Sequence, residues 1–126
     1  MNWLIFISGL FAGFCTLGHF AVGSKQYLKP MLQSSFDEVA KKVMHCVFHY
    51  VSVFLVLSTV VLLAVGLGYG FGQNSTVLVK FIAINFALFA VSQIIIAASS
   101  GIQNAVFKMF QWIIFILIAV PAWIGA

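Results

Sequence analysis

The chain has 126 residues, of which 63 % are apolar and 6 % charged, and its mean hydropathy is +1.17. Six lysines and two acids cannot cover the surface of a water-soluble domain of this size, so the composition excludes a soluble globular protein and points to a bilayer. The net charge of +4 comes from lysine alone; without an arginine to grip phosphates or base edges, no nucleic-acid partner is expected.

The first element is an apolar run over residues 3–22. It follows Met1-Asn2-Trp3 without the positive segment or small-residue cleavage site of a secretory signal, so it is expected to stay attached as a transmembrane helix. Phe14 before Cys15 does not suit a lipoprotein processing site, and Cys15 and Cys46, both in apolar surroundings, read as reduced small hydrophobes. At about 100° per residue, Ser8, Ala12, Cys15, Thr16 and His19 share one side of this helix. That side is small and polar, and should face protein.

Residues 23–42 carry Lys25, Lys29, Asp37, Glu38, Lys41 and Lys42 and are expected to form the main loop outside the membrane. Within them Ser35-Phe36-Asp37-Glu38 reads as a capping box, with Ser35 bonding the amide of Glu38. The second helix would then start well before its span at 43–69 and hold about 34 residues, roughly 50 Å against a hydrocarbon core of about 30 Å. On it His45, His49, Ser52 and Thr59 share one face.

The segment from Gly66 through Gly70, Phe71 and Gly72 has glycine at every second position and predicts a flexible antiparallel turn. The third span, 77–98, carries Asn85 and Gln93. Just before it, Asn74-Ser75-Thr76 fits a glycosylation pattern, but lies too near the membrane to make a good acceptor. After a loop at 99–105 the fourth span covers 106–124 and carries Gln111.

Four stretches of about 20 apolar residues predict an all-α polytopic membrane protein, one domain over 1–126 folded as an antiparallel bundle of four transmembrane helices. Lys25, Lys29, Lys41, Lys42 and Lys108 fall on one side and only Lys80 on the other. This bias places loops 23–42 and 99–105 in the cytoplasm and both termini outside, in the cytoplasmic (inner) membrane. The two helix pairs differ in loop length and polar content, so no internal inverted repeat is visible.

Inside a bilayer the informative side chains are polar ones that were costly to place. His19, His49, Gln93 and Gln111 fall at similar depth and are expected to form one polar layer, with Ser52 and Asn85 as further candidates. His19 and His49 would meet as a pair whose protonation matters, imidazole titrating near neutrality. Such residues can also be interhelical glue worth about 1 kcal/mol each. His45 and His49 at i, i+4, joined by His19, would make a transition-metal site, and His19 with His49 a haem site; no cofactor is the leading expectation. No acid lies within a span and no Ser-His-acid set is present, so an enzyme is not expected, nor is a small proton-coupled exporter dependent on a buried Glu.

The leading expectation is a homo-oligomeric protein transporting or permeating a small solute or ion. The alternatives are an accessory subunit of a larger membrane complex and a metal- or haem-binding protein.

Gly18-His19 with Gly23, then Leu28 and Pro30-Met31, then His49, resembles a group of small bacterial four-helix membrane proteins of unknown function. In that group a Gly-His ends helix one and a His opens helix two. The chain departs from the pattern at Phe48, where members often have Trp, and at Ser24, where they have an acid. The resemblance implies the four-helix fold and a role for His19 and His49, and brings no activity. Small dimeric fluoride channels share the size and helix number, but their filter motif and early arginine are missing.

Overall fold

A computed structural model describes residues 1–70 and 72–126, whose regular secondary structure is all helix, with no strand among them. Three stretches are long and apolar enough to cross a membrane: Trp3–Gln33, Glu38–Leu67 and Asn74–Ser99. A further apolar helix, Gln111–Gly125, is shorter.

Helix α1 spans Trp3–Gly18 and is capped by the Asn2 side chain, which accepts from the Ile5 amide at 3.2 Å. The helical path does not end with α1 at the Gly-His. The backbone widens into a π-helix over His19–Leu28 and returns to α geometry as α2, Lys29–Gln33. This corrects the expected loop over 23–42, of which only residues 34–37 leave the helix. Pro30 does not break the segment because it stands in the first turn of α2, where a missing N–H and a fixed φ are tolerated. The chain turns out at Ser34, which is extended at φ −72°, ψ 159°.

Helix α3 spans Glu38–Leu67, and its cap is Asp37 rather than the expected Ser35: Asp37 Oδ1 accepts from the Ala40 amide at 2.9 Å. Asp37 is one residue from the helix, so it reaches the amide that Ser35 cannot. Glu38 pairs with Lys41, whose ammonium also donates to the Ser34 carbonyl at 3.2 Å. At its far end α3 closes on Gly68 in the left-handed region at φ 100°, with Tyr69 N–H reaching back to the Ala64 carbonyl at 2.9 Å. Of the glycine-rich turn that follows, Phe71 lies outside the described residues.

Helix α4 spans Asn74–Ser99. The segment expected as one helix over 106–124 is divided into a single turn, α5 (Ala105–Lys108), and α6 (Gln111–Gly125). Asn104 enters α5 in the left-handed region at φ 58°, and Met109 interrupts the helix at φ −99°, ψ 67°. Trp112 spans the interruption by donating Nε1–H to the Val106 carbonyl at 2.8 Å. At 1.5 Å per residue, α6 alone is about 22 Å long.

Helix α1 packs antiparallel against both α3 and α6, and α4 packs against α6. The backbones of α1 and α3 approach so closely that a Cβ at Gly66 would stand 2.6 Å from the Phe6 backbone, and one at Gly9 2.8 Å from Leu63. Helices α3 and α4 meet chiefly through aromatic rings, Phe54 against Phe86 and Phe89, with Phe115 of α6 completing the group at centroid distances of 5.3 to 6.0 Å. Ala12, Leu62, Val79, Phe86, Ile118 and Ala122 are wholly buried.

Candidate functional site

The helices part at the end of the molecule where the π-helix begins, leaving a cavity of about 350 Å³ between α1, its π-helical extension, α3 and α6. Its walls are mostly apolar: Phe14, Val22, Phe48, Leu55, Phe110 and Phe115 among them. Three polar side chains reach it, from His19, Tyr27 and Gln111. His19, Gly23 and Tyr27, each four apart on this π-helical segment, all fall on the cavity side. Gly23 keeps this wall thin, since a Cβ there would already touch the Phe48 ring at 3.5 Å.

His19 stacks on Phe48 with ring centroids 4.0 Å apart and 19° between planes. Its Nε2 lies 2.9 Å from Ser52 Oγ and 3.2 Å from the Phe48 carbonyl oxygen, and Ser52 Oγ in turn donates to that carbonyl at 3.1 Å. A carbonyl can only accept, so Nε2 carries the proton and the neutral ring keeps its lone pair at Nδ1, beside Gly23.

Across the cavity Gln93 Nε2 donates to Gln111 Oε1 at 2.6 Å and to the Met109 carbonyl at 3.1 Å, while Gln111 Nε2 donates to the Tyr27 hydroxyl at 3.0 Å. The Met109 interruption thus frees a carbonyl for Gln93. Tyr27 accepts from Gln111, and its own proton has no acceptor among the described residues. Gln93 Oε1 is buried without a partner among those residues.

The expected layer is therefore built in two parts. His19 joins Ser52, and Gln93 joins Gln111, with His19 and Gln111 lining one cavity. His49 is not part of it: Phe48 occupies the position beside His19, and His49 Nε2 instead lies 3.2 Å from His45 Nε2 on the exposed side of α3. Asn85 also stands apart, its Nδ2 donating to the Phe81 carbonyl one turn back at 2.8 Å. Among the described residues no group of three or more His, Cys, Asp and Glu is clustered as a metal site would need, so His19, His45 and His49 do not form the expected triad. Tyr27 escapes a sequence reading that ends the first helix before it; its eight-residue spacing from His19 is the signal that would have found it.

The polar face expected on the first helix does point inward. Ser8 Oγ donates to the Ile118 carbonyl at 2.6 Å, and the hydroxyls of Thr16 and Thr59 meet at 3.0 Å. No protein-family model, no curated protein and no solved structure matches this chain.

Proposed function

We propose that the chain is a four-span integral membrane protein that passes a small, apolar-bodied solute through the cavity beside His19, working as a homo-oligomer in the inner membrane with both termini outside. The observation that carries this reading is the chamber itself: about 350 Å³ of largely apolar wall presenting unspent bonding capacity at His19 Nδ1, an acceptor, and at the Tyr27 hydroxyl, a donor. That volume lies in the range of small-molecule sites, where a few placed polar groups orient a ligand held mainly by apolar contact. A solute with a short hydrocarbon body and a primary amide or alcohol group satisfies both polar groups at once.

Four spans are supported by α5 and α6, which together cover residues 105–125, enough to cross a core of about 30 Å when the short break is included. Trp3 and Trp123 at one end and Tyr27 and Trp112 at the other suit the two interfacial belts, and the lysine bias supports the orientation. A groove between α4 and α6, floored by Ala83, Ala87 and Ala119, suits the close approach of a helix from a second copy.

The test is uptake of radiolabelled isobutyramide into proteoliposomes. Uptake should exceed that of protein-free vesicles and fall to their level in Val22→Trp, which fills the cavity from an exposed wall position. Wild-type uptake no faster than the lipid leak, or a Val22→Trp protein as active as the parent, would count decisively against the reading.

A further inference from the structure

His45 and His49 lie one turn apart on an outward side of α3, and the geometry of their rings is specific. The two Nε2 atoms are 3.2 Å apart, with ring centroids at 5.0 Å and 41° between planes. Two imidazole nitrogens that each stand about 2.0–2.1 Å from one tetrahedral ion are themselves about 3.3–3.4 Å apart. The rings of an i, i+4 pair share a face, but nothing in that spacing alone aims both Nε2 atoms at a single point. Here they converge.

We propose that His45 and His49 form a two-nitrogen clamp for a borderline divalent cation, Cu²⁺, Ni²⁺ or Zn²⁺. In the ion-free pair one Nε2–H donates to the lone pair of the other. Ligation uses both Nε2 lone pairs, so the donating ring moves its proton to Nδ1 and each imidazole stays neutral. Imidazole suits these ions, with Cu²⁺ bound most tightly, whereas Mg²⁺ and Ca²⁺ require oxygen ligands that the clamp does not offer.

The position makes the site reachable. Counted back from Leu67, a core of about 30 Å ends near Phe48, so the clamp straddles the boundary with water. His49 is exposed and His45 half-buried. One turn nearer the helix start, Lys41 is held by Glu38, leaving Lys42 as the neighbouring cation to oppose an incoming ion. The coordination positions not taken by the two histidines fall to water or to a ligand from another molecule. His19 has no part in the clamp, since its Nε2 is committed to Ser52 and the Phe48 carbonyl.

Untagged protein in lipid nanodiscs is titrated with NiCl₂ by calorimetry and with CuCl₂ under electron paramagnetic resonance. The clamp predicts one site per chain, a Cu²⁺ spectrum split by two equivalent nitrogens, and no response to MgCl₂. His45→Ala and His49→Ala should each weaken Ni²⁺ binding at least about tenfold, because loss of even an outer partner of a metal ligand costs that much; His19→Gln should bind as the parent does. The double substitution His49→Ala with Tyr50→His keeps the histidine count but turns the second ring about 100° around the helix, and should bind as weakly as His49→Ala. All four variants are checked for unchanged unfolding in SDS. Absence of Ni²⁺ binding by the parent, parental affinity in the shifted variant, or a His19→Gln loss as large as that of His45→Ala would each overturn the proposal.

Discussion

The two ends of the molecule are built on opposite plans. At one, Asn2 holds three helices together: its amide N–H donates to the Gly66 carbonyl at 2.8 Å, its side chain donates to the Gly125 carbonyl at 2.7 Å, and the same side chain caps α1. Glycines let the backbones touch there, and Ser8 adds a bond to α6 nearby. At the other end the spacers are rings. Phe14, Phe48, Phe110 and Phe115 hold α1, α3 and α6 apart, the backbone widens into a π-helix, and polar groups keep unspent bonding capacity. In a bilayer, where lipid is as apolar as leucine, close backbone packing and hydrogen bonds do the holding. The closest backbone approaches, at Gly9, Gly66 and Gly125, lie at one end, which leaves the other free to stay open.

The sharpest challenge to this contrast is Gly66→Val. Its Cβ would stand 2.6 Å from the Phe6 backbone, which cannot swing aside as a side chain can, so a loss of about 3 kcal/mol or more is expected on SDS-induced unfolding in mixed micelles. A change under about 1 kcal/mol would mean that the closed end is not tightly joined. Asn2→Ala removes the cap and the bond to Gly125 and should cost about 1–2 kcal/mol in the same assay.

Ser8→Ala should cost less, about 0.6 kcal/mol, since the Ile118 carbonyl sits within a helix and the bond lost is a typical interhelical one. The smallest stability effect belongs to the open end. Tyr27→Phe removes a hydroxyl from a half-exposed ring and should shift unfolding by less than about 0.5 kcal/mol. It should nonetheless slow amide uptake in proteoliposomes, because the cavity loses a donor facing His19 Nδ1. A large stability loss with unchanged uptake would reverse the roles assigned to the two ends.

Hydropathy made the long helices legible because membrane crossing depends on summed apolar length, to which local detail contributes little. The places that misled were local competitions. Gly18, Gly23 and Pro30 together look like the end of a helix, yet a π turn absorbs the glycines and the first turn of α2 tolerates the proline. Ser35 and Asp37 are both good caps, and only the folded path of the chain decides that Asp37 sits at the right distance.

Within the site, depth along the helix was readable and azimuth was not. His19 and Ser52, each on the polar face of its helix, do meet, but the ring of Phe48 decides that His49 turns outward to His45. Gln93 and Gln111 meet because Met109 breaks the helix between them, and an apolar sequence carries no sign of that break.

The bond from Asn2 to Gly125 also has a consequence in time. Its partners are separated by 123 positions, so it is among the last contacts at the closed end whose residues have both been made. Helix α1 can pair with α3 as soon as Leu67 has emerged, but until α6 is in place the Ser8 hydroxyl and the Asn2 side-chain amide lack their acceptors across the helix boundary. A half-synthesised chain is therefore expected to wait as a helical hairpin in which these two groups have no partner on α6. Docking of the last helix resolves that state, which makes the order of synthesis the order in which the closed end becomes secure.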